Sequence, residues 1–155
     1  MRTRQTGFTL IELVIVIIIL GVLAAIALPR YVNLGTSARI ASVNGVAGGL
    51  RSAVAVVQSE YIANNMTTSP VTMLDGTTVA VDTGTNDGGI PLATAVGIGN
   101  ALQAASNAAP ISGYVTTYGT NIATFTLRTN CYVTYTENPG AANIIGVVAV
   151  TTTGC

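Results

Sequence analysis

Phe8-Thr9-Leu10-Ile11-Glu12-Leu13-Val14-Ile15-Val16-Ile17-Ile18-Ile19-Leu20-Gly21-Val22-Leu23-Ala24-Ala25-Ile26-Ala27-Leu28 contains one charged residue, Glu12, in 21 positions. As a helix at about 1.5 Å per residue the run spans roughly 30 Å, the thickness of a bilayer core. Met1-Arg2-Thr3-Arg4-Gln5-Thr6-Gly7 precedes it, short and basic. With Arg2 and Arg4 at its head, the positive-inside rule keeps Met1 in the cytoplasm and sends the rest outward. The rival is an ordinary secretory signal peptide, for which Ala25-Ile26-Ala27 offers a small-x-small cleavage site. Against it stands Glu12, because an acid is costly to insert among apolar side chains and an odd thing to keep in a discarded segment. A retained intramembrane acid is a functional residue by default, and it needs a partner.

Working outward, Pro29 removes a backbone donor and Gly21 lies eight residues before it, so the helix is weakened between them. The alternative is a simple bend at Pro29. From Arg30 the helix is expected to resume to about Asn64. Ile40, Val43, Ala47, Leu50, Val54, Val57 and Tyr61 recur at three- or four-residue spacing and form one apolar stripe, suited to packing on a sheet. Arg39, Arg51, Gln58 and Ser59 fall mostly away from it. Gly45, Gly48 and Gly49 are poor helix formers, each about 1 kcal/mol worse than Ala. They permit close approach of a sheet or a second subunit, or leave the region loosely helical.

After Asn64 the texture changes to Thr, Gly, Asn and Ala. Asn65-Met66-Thr67 fits a glycosylation acceptor pattern of low specificity. Asp75-Gly76 reads as the turn of a hairpin joining 71–74 to 78–81. Asp82-Thr83-Gly84-Thr85-Asn86-Asp87-Gly88-Gly89 is rich in oxygen donors, and Asp82 and Asp87 make a weak calcium candidate. The loop lacks the spacing and distal Glu of an EF-hand, so a plain turn is preferred. Residues 91–106 suit a short helix, best at Ala101, Leu102, Ala104 and Ala105. Residues 123–129, 132–136 and 144–152 are rich in Thr, Val, Ile, Tyr and Phe and read as strands, with Glu137-Asn138-Pro139-Gly140 turning between the last two. The expected architecture is α+β: a long helix on a meander of three or four antiparallel strands.

Composition narrows function. Half of the 155 residues are hydrophobic and 8% are charged, against about 25% in an average soluble domain. The chain therefore sits partly in a membrane or buries much surface against copies of itself. There is no His, no Lys and no Trp, and six arginines balance six acids. A basic nucleic-acid patch is not available. Neither is a Ser–His or Cys–His pair, nor a phosphate loop, so no enzyme and no cofactor is expected. Cys131 and Cys155, an even pair in an outward-directed chain, read as a disulfide closing 23 intervening residues. Two free buried thiols are the alternative. With six Tyr and two Phe, the chain is poorly equipped for dense aromatic stacking in an electron-conducting fibre.

Gly7 followed by Phe8-Thr9-Leu10-Ile11-Glu12 closely resembles the processing site of type IV prepilins and pseudopilins. The resemblance covers roughly residues 1–60. It implies a prepilin peptidase that cuts after Gly7 and N-methylates Phe8, while the apolar segment is kept. It implies that Glu12 meets the Phe8 amine of a neighbouring subunit; the bland alternative is an acid that snorkels to the headgroups. Gly21 and Pro29 match places where pilin helices lose order in assembled pili, implying a flexible segment. The region from Cys131 to Cys155 resembles the disulfide-bounded region of type IV pilins, and Pro29-Arg30-Tyr31-Val32-Asn33-Leu34 is similar to the corresponding stretch of mannose-sensitive haemagglutinin pilins. On this basis residues 1–7 are a leader, 8–29 a transmembrane and assembly helix, 30–64 its amphipathic continuation and 65–155 a globular head. The implied function is a fibre subunit for adhesion, surface motility or DNA uptake. Its partners would be itself, the peptidase, inner-membrane assembly machinery and a surface receptor. Its location would be the inner membrane of a Gram-negative bacterium and then the extracellular fibre. A type II secretion pseudopilin is the alternative.

Overall fold

A stripe of apolar residues on one helix, and strands with one buried face, can only be satisfied against each other. The computed structural model describes residues 7–65, 67–84, 88–102, 111–137 and 146–155, and for 28–33 the backbone alone. The chain divides into two compact units, one ending at Ala38 and one beginning at Arg39.

Helix α1 covers Leu10–Ala63. In the first unit its apolar side chains are exposed: Ile11, Ile15, Ile18, Val22 and Ile26 all lie open. In the second unit Val43, Ala47, Leu50, Val54, Val57 and Tyr61 are buried, and Ile40 packs against the same core. The 3.6-residue period thus selects the face expected from sequence.

Strands β1 (Val71–Thr72) and β2 (Thr78–Val79) form a two-stranded hairpin in which Val71 pairs with Val79. The turn between them is closed by the Asp75 carboxylate, which accepts the Thr77 N–H at 2.9 Å, and by Gly76 at φ +83°. The hairpin buries Val71, Val79 and Val81 against Val57 and Tyr61. A helical turn at Ala95–Gly99, broken at Gly97, runs into α2 (Asn100–Leu102). The stretch 91–106, expected as a helix, is therefore not helical up to Thr94 and is helical over 95–102 with a break at Gly97; Ala104 and Ala105 lie outside the described residues.

A four-stranded antiparallel meander follows: β3 (Val115–Gly119), β4 (Ile122–Arg128), β5 (Cys131–Thr136) and β6 (Val147–Thr151), in that spatial order. Cys131, Val133 and Tyr135 of β5 and Ala123 and Phe125 of β4 are buried, and they share one core with the α1 stripe. Alternation with period two does this, since successive side chains leave opposite faces of a sheet. The turn expected at 137–140 lies beyond Glu137 outside the described residues.

Two side chains of the last strands reach back to the loop before the helical turn. The Tyr135 hydroxyl, buried, donates to the Pro91 carbonyl at 2.6 Å, and the Glu137 carboxylate accepts the Ala93 N–H. Burial, and then the charge of Glu137, push the Tyr135 phenol well above its usual range. A phenol harder to ionise when folded leaves stability untouched below the unfolded value, about 10, and removes it as the pH rises further. Thermal unfolding followed between about pH 8 and about pH 11 is expected to show this alkaline loss, at a slope approaching 1.4 kcal/mol per unit. Tyr135→Phe is expected to flatten that slope while leaving the Pro91 carbonyl unpaired, a loss of about 1–3 kcal/mol at neutral pH. An unchanged alkaline slope in the variant would count against this assignment.

Candidate functional site

A helix leaves its first N–H groups without internal acceptors, so the sequence at its start decides whether it begins cleanly. Thr9 precedes the first helical residue, Leu10, and Glu12 lies three residues on. The Thr9 N–H and hydroxyl both donate to Glu12 Oε2, each at 2.9 Å, and the Glu12 N–H donates to Thr9 Oγ1 at 3.3 Å. This reciprocal arrangement is a capping box. The Thr9 carbonyl accepts the Leu13 N–H at 3.3 Å and completes the first turn. The negative carboxylate also sits at the positive end of the helix dipole, a favourable position.

Two consequences follow for the chemistry of this end. The Glu12 carboxylate is exposed and fixed in direction by Thr9 rather than swinging freely. Its Oε1 takes no hydrogen bond among the described residues, so one oxygen remains for an incoming cation. Gly7 and Phe8 lie just outside the helix, Phe8 being 87% exposed. Behind them, Leu10–Ala27 gives 18 residues with no buried side chain, long and apolar enough to cross a membrane. A single peptide chain thus presents a carboxylate at the head of an apolar cylinder that none of the described residues of its own unit covers.

The other residues singled out from sequence are dispersed. The α1 element runs through both Gly21 and Pro29. Asp82 Oδ1 accepts the Gly84 N–H at 2.9 Å, a local turn contact. Asp87 lies outside the described residues, and among the described residues no three acids or cysteines cluster as a metal site would need. Cys131 and Cys155 are bonded, with Cα atoms 4.9 Å apart. Gly154 beside them donates its N–H to the Asn130 carbonyl at 2.8 Å, and a Cβ there would collide with the Thr129 carbonyl, so only glycine fits.

Arg39 and Arg51 have roles that spacing alone did not reveal. The Arg39 guanidinium donates to the Cys155 carbonyl, and Arg51 Nη2 donates to the Val148 carbonyl at 3.1 Å. Both tie α1 to the last strand and its continuation. Their acceptors are main-chain groups about a hundred residues away, which no side-chain pattern can signal. The capping box was legible in principle, as Thr-x-x-Glu before an apolar run.

Residues 2–28 match the prokaryotic N-terminal methylation motif. Over 61 residues the chain is 55% identical to the type IV narrow pilus major component of Thermus thermophilus, a match covering 38% of this chain and 53% of that protein. It is 48% identical over 65 residues to a type IV major pilin protein of Neisseria gonorrhoeae, covering 42% and 37%. It is 46% identical over 54 residues to the type IV major fimbrial protein of Dichelobacter nodosus, covering 35% of each. The chain thus spans about half or less of the length of the curated relatives it matches. No solved structure matches it.

Proposed function

We propose that this chain, whose N-terminal segment is similar to those of type IV pilins, is a structural subunit of a type IV pilus, polymerising through α1 into an extracellular fibre. The observation that carries this is the Thr9–Glu12 box at the head of an uncovered apolar helix. A prepilin peptidase cuts after Gly7 and methylates the Phe8 amine. The subunit waits in the inner membrane of a Gram-negative bacterium, held by 8–29. Assembly machinery then moves it into the fibre, where the apolar face of one helix is covered by those of its neighbours.

In that bundle the Phe8 amine is a cation among hydrocarbon, and the Glu12 carboxylate of an adjoining subunit neutralises it. Two opposite buried charges satisfy each other, whereas either alone is costly. Their pairing fixes axial register between copies. Gly21 and Pro29 give a compliant stretch within the fibre. The fibre serves adhesion, surface motility or DNA uptake, with a receptor met by the head. The disulfide, and relatives named as major pilins, favour a pilin over a secretion pseudopilin.

Mass spectrometry of the N-terminus of the mature protein tests the first step. A chain beginning with methylated Phe8 is the expected result. A mature chain beginning after Ala27 would overturn both the cleavage and the fibre.

A further inference from the structure

A groove of about 620 Å3 opens on the second unit beside the far end of α1. Val56, Met73 and Leu74 give it apolar walls, and Glu60 and Asp75 add two carboxylates. Each carboxylate has only a local partner: Glu60 Oε1 accepts from Asn64 Nδ2 at 2.6 Å, and Asp75 from the Thr77 N–H at 2.9 Å. Among the described residues, no cation lines the groove. Leu74 on its rim is 98% exposed. Gly49 lies on its floor, and a Cβ there would meet nothing within 4 Å. Among the described residues nothing requires glycine at that position, although glycine weakens a helix relative to alanine.

The complementary charge lies at the opposite end of the same unit. Arg39 and Arg51 are engaged by main-chain carbonyls. Arg128 is exposed, at the β4–β5 turn, and has no hydrogen-bond or ion-pair partner among the described residues. That turn is level with Arg39, because Arg128 pairs with Cys131, Cys131 is bonded to Cys155, and Cys155 accepts from Arg39. Glu60 lies 21 residues further along α1 than Arg39, roughly 30 Å of helix. Within one chain the arginine and the carboxylates cannot meet.

We propose that the groove receives the Arg128 turn of a second copy, so that successive heads stack along the α1 axis. The proposal rests on the fibre reading above. It joins two different patches of identical chains, a heterologous contact that propagates without closing. Arg128 of one copy enters between Glu60 and Asp75 of the next, Leu74 is covered, and the bare backbone at Gly49 lets the incoming turn approach closely.

The chain contains no lysine, which makes a direct test possible. Filaments built from the Arg128→Lys variant carry one new side-chain amine, and a carbodiimide would join it to any carboxylate in contact. Peptide mapping is expected to find position 128 of one subunit linked to Glu60 or Asp75 of another. Links to other acids only, or none, would overturn the proposal. A charge exchange supplies an independent reading. Arg128→Glu and Glu60→Arg are each expected to cut the yield of sheared filaments about tenfold by opposing like charges, and the two together to restore it. Wild-type yield from Arg128→Glu would refute the stacking contact while leaving the fibre intact. Wild-type cells bearing no filaments of this subunit would bring down the fibre reading and the contact with it.

Discussion

Cells whose only copy of this chain carries Glu12→Ala are expected to insert and process it normally and to show no surface filaments. Insertion does not need the acid, since removing a charge from an apolar segment eases its passage. The proposed cleavage falls between Gly7 and Phe8, which lie outside the helix. Helix α1 still starts at the same place, because Thr9 Oγ1 continues to accept the N–H of residue 12. Assembly is the step that fails. The Phe8 amine of each incoming subunit would enter an apolar bundle with no carboxylate to meet it, and a broken buried pair of this kind lowers an equilibrium by more than about a hundredfold. Mature subunit should accumulate in the inner membrane. Glu12→Gln separates the two roles of the residue, because a Gln completes the capping box but carries no charge. Loss of filaments in both variants supports charge pairing. Normal filaments from Glu12→Gln would leave Glu12 as a helix cap alone.

The second large effect is expected from Cys131→Ala with Cys155→Ala. The bond closes a loop of 23 intervening residues, and loop-entropy reasoning assigns such a closure roughly 3–4 kcal/mol. Both cysteines are buried in the main core beside Val133 and Tyr135, so cavity formation adds to the loss. Domains of this size hold about 5–15 kcal/mol in total, and in a chain of 155 residues a loss of 1 kcal/mol lowers the unfolding midpoint by about 2–4 °C. Melting of the full-length chain in detergent should therefore fall by at least about 6 °C. A drop of a degree or two would mean that the Arg39 and Gly154 contacts alone hold the last residues in place.

How far sequence carried the fold depends on how local each signal is. The α1 stripe was legible because burial on one side of a helix imposes its own period, and Val43 through Tyr61 keep it without a gap. Strands β4 and β5 were legible from their richness in Thr, Val, Tyr and Phe, while the buried face of Ala123, Phe125, Cys131, Val133 and Tyr135 is given by the fold. Strand β3 was not named, and its pattern explains why. Val115, Thr117, Tyr118 and Gly119 are all exposed and only Thr116 is half-buried, so no alternation marks a face, and pairing with β4 alone defines it. At the N-terminal end the chemistry was readable, from one acid in an apolar run, but the part played by Thr9 became plain only from its three hydrogen bonds. Arg39 and Arg51 looked like ordinary solvated residues because their acceptors belong to the backbone of a distant strand.

That mooring has a mechanical meaning. The chain enters its second unit at Arg39, and Cys155 is fastened to the same residue. The end of the chain is therefore tied back to the point of α1 where the second unit begins, and the last strand is tied again at Arg51. A pull along α1 passes through the ladder of hydrogen bonds within the helix, each amide to the carbonyl four residues earlier. A strained filament of this build would give first by uncoiling helix, while the ladder from β3 to β6 and the Cys131–Cys155 bond keep the second unit folded.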